Sequence, residues 1–133
     1  MFERWFRKPV LLTGAPKVRR QKTYSAQSGY VYQYYYEGQR PMETDRERGT
    51  EFVFDVSADR KTSVPVSVFV SAEAVEEWER QHHRDLSPTE RYAIAKMALF
   101  QAFDERANPA LMKDPVRVRP ADVQGIVETL DIT

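Results

Sequence analysis

The sequence contains no cysteine. Disulfides, thiol nucleophiles and thiolate metal sites are therefore excluded, and the chain suits a reducing compartment such as the cytoplasm. Glycine is scarce, five in 133 residues. None of the five opens a phosphate-cradling loop or a Gly-x-Ser-x-Gly elbow, so nucleotide-binding and nucleophile fingerprints are missing. The only two histidines are neighbours, His82 and His83. Adjacent side chains point apart and no second cluster has ligand spacing, so neither a metal nor a cofactor is expected. The pair suits a helix C-terminus, where polar groups meet free carbonyls. No apolar run is long and uninterrupted enough for a transmembrane helix. Val10-Leu11-Leu12 is too short for a secretory core. The carboxylate pairs Glu76-Glu77 and Asp104-Glu105 are adjacent on helical segments and read as solvated. Catalytic pairs usually meet from separate segments, so no catalytic residue is assigned.

What is present is unevenly placed. The net charge is zero, but residues 1–22 carry seven Lys/Arg against one Glu, a net +6 that the rest of the chain balances with 13 Lys/Arg against 19 Asp/Glu, a net −6. Residues 1–22 therefore read as a basic N-terminal arm and 23–133 as a single domain, long enough for one core. The arm opens with Phe2, Trp5 and Phe6 among Arg4, Arg7 and Lys8, a spacing that suits a turn or two of amphipathic helix. Its second half is the basic run Lys17, Arg19, Arg20 and Lys22. Such an arm reaches an anionic partner or folds back on its own domain.

The segment with the plainest signals runs from Leu86 to Asn108. Ser87, Pro88 and Glu90 form a capping-box start, and Asn108-Pro109 reads as a left-handed stop. Between them the chain is apolar over most of a helical circumference, with Tyr92, Ala95, Leu99, Ala102 and Phe103 on one face, as expected of a buried helix. Upstream, Phe52, Phe54 and Val56 alternate, as do Val64, Val66, Val68 and Val70. These two stretches predict a hairpin whose Phe/Val face packs on helices. Pro65 places the second strand at an edge or a bulge. Ser71 should cap a helix over 72–82, with Val75 and Trp78 inward. Residues 37–49 read as a long polar connection. Val116 and Val118 suggest a short extended piece, and 120–129 a last short helix. The fold class expected is α+β: an antiparallel three- to four-stranded sheet, two main helices on one face, and a short C-terminal helix.

The most unusual composition lies between Thr23 and Tyr36. Within a strand, Tyr30, Tyr32, Tyr34 and Tyr36 share one face and Val31, Gln33 and Tyr35 the other. With Phe and Val assigned inward on the neighbouring strands, the tyrosines are expected outward. An exposed tyrosine face beside Lys17, Arg19, Arg20 and Lys22 would be a candidate interaction surface. The function expected is a small intracellular, non-catalytic protein-interaction or self-association module, with a protein partner or a second copy as ligand. The alternative is single-stranded nucleic acid, its bases stacked on the tyrosines and its phosphates held by the basic run. A purely structural role for the tyrosines competes with both.

Overall fold

The computed structural model describes residues 11–131, so the helical turn expected for the first ten residues lies outside the described part. The chain runs β1 (Lys22–Ser25), β2 (Val31–Glu43), β3 (Arg48–Ser57), β4 (Val64–Ser71), α1 (Ala72–His82), α2 (Pro88–Glu105), a 3-10 turn (Pro109–Lys113), β5 (Val116–Val118) and α3 (Pro120–Thr129). The strands form one five-stranded sheet in chain order. β1 to β4 pair antiparallel, while β5 lies parallel to β4, opposite Val68–Val70. The α+β class holds; the count and the last pairing differ from expectation. A parallel neighbour needs a crossover, and α1 and α2 supply it.

The extra strand arises where Thr23–Tyr36 is cut in two. Gly29 takes φ +97°, and the Ala26 N–H donates to the Tyr30 carbonyl across the turn at 2.8 Å. The residues expected as a long connection are mostly strand. β2 runs to Glu43 and only residues 44–47 turn. A bulge between Tyr36 and Gly38 shifts the register. Gly38 adopts φ +126°, and a Cβ there would lie 2.8 Å from the Thr13 carbonyl oxygen, so this bend with its close backbone approach calls for glycine.

The α2 start is as its residues imply. Ser87 Oγ accepts from the Glu90 N–H at 3.1 Å, and the Glu90 carboxylate accepts from the Ser87 N–H at 2.9 Å. Arg84 also forks onto Glu90, with contacts of 3.0 and 2.7 Å. Arg84, together with the Ser87 amide, holds that carboxyl down at about 2. The stop is different. α2 ends at Glu105, and Asn108 is extended rather than left-handed, its side chain capping the 3-10 turn through the Ala110 N–H. Asn108 has two uses for its amide, and Pro109 at the first position of a new turn selects the N-cap.

Ser71 caps α1 through the Ala74 N–H. Val70 and Val75 join one buried cluster with Phe52, Phe54, Leu99 and Phe103. Pro65 sits where β4 has β3 on one side and no strand of the described chain on the other, which is where a residue without an N–H is tolerated.

The largest correction concerns the tyrosines. The alternation within β2 is as expected, but the register pairs Tyr34 with Val56 and Tyr36 with Phe54. Directly paired residues point to the same side of a sheet. The phenols therefore join the Phe/Val face and turn inward. Tyr32 is 0% and Tyr34 3% exposed. Tyr32 stacks on Phe103 at 4.1 Å between ring centroids, and Tyr24 on Phe100 at 4.3 Å. Tyr36 packs against Phe54 and Tyr92. The other side of β2, with Gln33, Tyr35 and Glu37, is the more polar one. That contrast decides the facing.

Candidate functional site

The expected surface is not assembled. Of its four tyrosines only Tyr30 is exposed, at 39%. Tyr32, Tyr34 and Tyr36 are held by α2, so they offer no free ring face for a partner or a base. Arg19 lies across the Tyr35 ring at 3.9 Å and pairs with Glu37 at 2.6 Å and Asp55 at 3.0 Å. It ties the arm to the outer sheet face. Lys17, Arg20 and Lys22 are exposed and form no ion pair among the described residues.

The outer face satisfies itself in the same way. Glu51, largely buried, accepts from Arg40 Nε at 2.6 Å and from Ser67 Oγ at 2.5 Å. Arg117 pairs with Glu47 and lies over Phe69. Asp104, read as solvated from sequence, is instead part-buried: it accepts from the Tyr24 hydroxyl at 2.8 Å and the Gln27 N–H at 2.9 Å. These bonds fasten the β1–β2 turn to the end of α2. The histidines do not converge on a site. His82 stacks on Trp78 at 4.2 Å and its Nδ1 meets the Trp78 carbonyl, while His83 is the left-handed residue closing α1. Among the described residues no three His, Asp or Glu side chains are grouped to hold a metal ion. No described helix is long and apolar enough to cross a membrane.

Burial has a measurable electrostatic consequence. It pushes the Tyr34 and Tyr36 hydroxyls up from 10 to about 12, with Tyr92 adding a smaller push on each. A hydroxyl that ionises later in the folded chain than in the unfolded one favours folding below pH 10. That contribution is lost as pH rises from 10 toward 12. Stability measured by urea melts should therefore fall over that window. Tyrosinate absorbance of the native chain should also lag that of the urea-unfolded chain. A melt midpoint unchanged between pH 9 and pH 11.5 would contradict the burial.

A concavity lies elsewhere, where β2 and β3 run past the helices. There no described helix lies against the inner face of the hairpin end. A cleft of about 890 Å³ opens between it and the start of α2. Pro41, Met42, Phe52 and Val70 line the sheet side; Val75 and Pro88, on the two helices, line the other. Its polar groups are the Gln39 amide, Glu43 and two ion pairs at the margin, Arg48–Glu76 at 2.6 Å and Arg91–Glu79 at 3.2 Å. Cavities of this size with apolar walls and a few polar groups are the usual form of a binding site.

The cleft also borders a strand edge. β1 covers β2 only opposite Val31–Tyr34, and further along Thr13 meets Gln39 in an isolated antiparallel bridge. Both bonds of that bridge, Thr13 N–H to Gln39 O and Gln39 N–H to Thr13 O, are 2.8 Å. Pro41, two residues on, faces the same edge and has no N–H to give. A strand laid there gains little ladder, so an occupant must be held mainly by its side chains. Sequence reading missed this site because residues 37–49 look like an ordinary polar connection; the only hint was Pro41-Met42 inside it.

No family model, curated protein or solved structure matches this chain.

Proposed function

We propose that the chain is a non-catalytic protein-interaction module of the cytoplasm. Its docking surface is the cleft beneath the β2–β3 overhang, and its ligand is a short protein segment with aromatic and basic side chains. The observation that carries this reading is the cleft's composition: apolar walls from Pro41, Phe52, Val75 and Pro88, with the carboxylates of Glu76 and Glu79 at the margin in ion pairs with Arg48 and Arg91. Aromatic anchors in apolar pockets supply most interface energy, and carboxylates at a rim select cationic neighbours. The lack of cysteine supports a reducing compartment. The tyrosine face does not serve, because α2 occupies it.

The test is a synthetic peptide array probed with the full chain and with Thr50→Arg, which places a bulky cation in the cleft. Aromatic-basic peptides should bind the wild type and lose at least about tenfold in affinity, roughly 1.4 kcal/mol, on the variant. Equal binding to both proteins, or no enrichment of such peptides, would sink the reading. A labelled single-stranded oligonucleotide serves as the contrasting ligand. Binding that weakens steeply with salt would favour nucleic acid instead. Sedimentation over a range of concentrations would identify a second copy as the partner.

A further inference from the structure

A second cavity, of about 410 Å³, lies at the opposite end of the sheet from the cleft. The turn before β2, the β3–β4 loop and the 3-10 turn surround it at the ends of β2, β3 and β4. Its walls are mostly apolar, with Val56, Pro109 and Met112 beside Tyr30 and Tyr32. Tyr30 and Val64, which line it, are exposed, and so is Leu111 between the lining residues Ala110 and Met112. Large apolar side chains gathered at one mouth mark a place where an apolar ligand gains by covering them.

Tyr32 supplies the second observation. It is fully buried and lines the cavity, yet its hydroxyl meets no hydrogen-bond partner among the described residues. A phenylalanine would fill the same space without the cost of desolvating a hydroxyl, so the oxygen calls for a partner from outside. The third observation is the state of the charges. Asp59 is the one charged residue among the described lining residues. Its carboxylate accepts from the Lys61 and Thr62 N–H groups, each at 2.8 Å, and from the Thr62 hydroxyl at 2.9 Å. That charge is spent inside the loop, and a ligand charge would find no partner in the wall.

We propose that this cavity binds a small neutral ring compound with one hydrogen-bonding group, which enters past the exposed Tyr30 and Val64 side chains and pairs with the Tyr32 hydroxyl. The volume is that of a small-molecule site, and Tyr30 and Pro109 offer flat faces to a ring. The site is separate from the cleft and stands whether or not a protein segment docks there.

Met112 lines this cavity and Met42 the cleft, so NMR of isotope-labelled methionine methyl groups in the full chain reads where a ligand sits. The probes are para-cresol, toluene and benzoate. Para-cresol should shift the Met112 methyl and not that of Met42, and benzoate should shift neither. Tyr32→Phe should weaken para-cresol at least about threefold while toluene binds as before or more tightly. Ala110→Trp, at an exposed position of the wall, should abolish the Met112 response to both. The urea midpoint of Tyr32→Phe should equal or exceed that of the wild type, since only an unpaired hydroxyl is lost. A lower midpoint would mean that the hydroxyl is already paired and would overturn the proposal. So would a Met42 response in place of Met112, benzoate binding as tightly as para-cresol, or para-cresol binding unchanged by Tyr32→Phe. No Met112 shift up to the solubility of the probes would overturn it as well.

Discussion

Phe103→Ala should cost about 3–5 kcal/mol in a denaturant melt, a large share of the stability of a domain this size. Phe103 is fully buried. Its ring stacks on Tyr32 and lies within 6.5 Å, centroid to centroid, of Tyr24, Tyr34 and Phe100. Truncation would remove one wall from three inward tyrosines at once, and a ring-sized void between a sheet and a helix does not collapse easily. The companion substitution is Tyr35→Ala on the outer face, which loses the contact beneath Arg19 and an exposed hydrogen bond from its hydroxyl to Gln21 Oε1, and should cost far less. The decisive comparison is the pair. A Phe103→Ala loss under about 1 kcal/mol, or one matched by Tyr35→Ala, would mean that the phenol layer is not the core.

Gly49→Ala should also destabilise, by about 1–3 kcal/mol, while Gly125→Ala should stabilise by up to about 1 kcal/mol. The opposite signs have a spatial cause. A Cβ on Gly49 would collide with the Val70 carbonyl oxygen and fall 2.8 Å from Phe69 Cζ. Gly49 pairs with Ser71 on β4 and Met42 on β2, so the strands would have to part to admit a methyl. Phe69 lies in the space the glycine leaves, with Arg117 over its ring at 5.3 Å. Gly125 sits in α3, and a methyl group added there would meet nothing within 4 Å, so alanine reduces only the freedom of the unfolded chain. Urea midpoints at constant m would report both effects. Gly49→Ala tolerated without loss would refute the tight contact.

The elements most legible in the residues were those with a local chemical signature. The Ser87–Glu90 box, the Ser71 cap and the Phe/Val hairpin each depend on neighbours a few positions apart, and each stands as read. The tyrosine strand shows where local reading stops. Alternation separates Tyr32, Tyr34 and Tyr36 from Gln33, Tyr35 and Glu37 without saying which set faces the helices. The cross-strand pairs Tyr34–Val56 and Tyr36–Phe54 decide that, and they are long-range facts. The polarity of the opposite set was the available clue, outweighed by a preference for keeping hydroxyls wet. The cleft was harder still. It exists because one hairpin is longer than the helices that cover it, a mismatch of lengths between distant segments.

The parallel last strand has a consequence for the order in which the molecule comes together. β5 is three residues long and joins β4 only after the chain has passed through α1 and α2. As the polypeptide leaves the ribosome, the β1–β4 meander can zip up from its hairpins, but the valine edge of β4 stays bare until residues 116–118 emerge. A nascent chain stalled before that point would present a sticky flank, and chaperone capture should peak there.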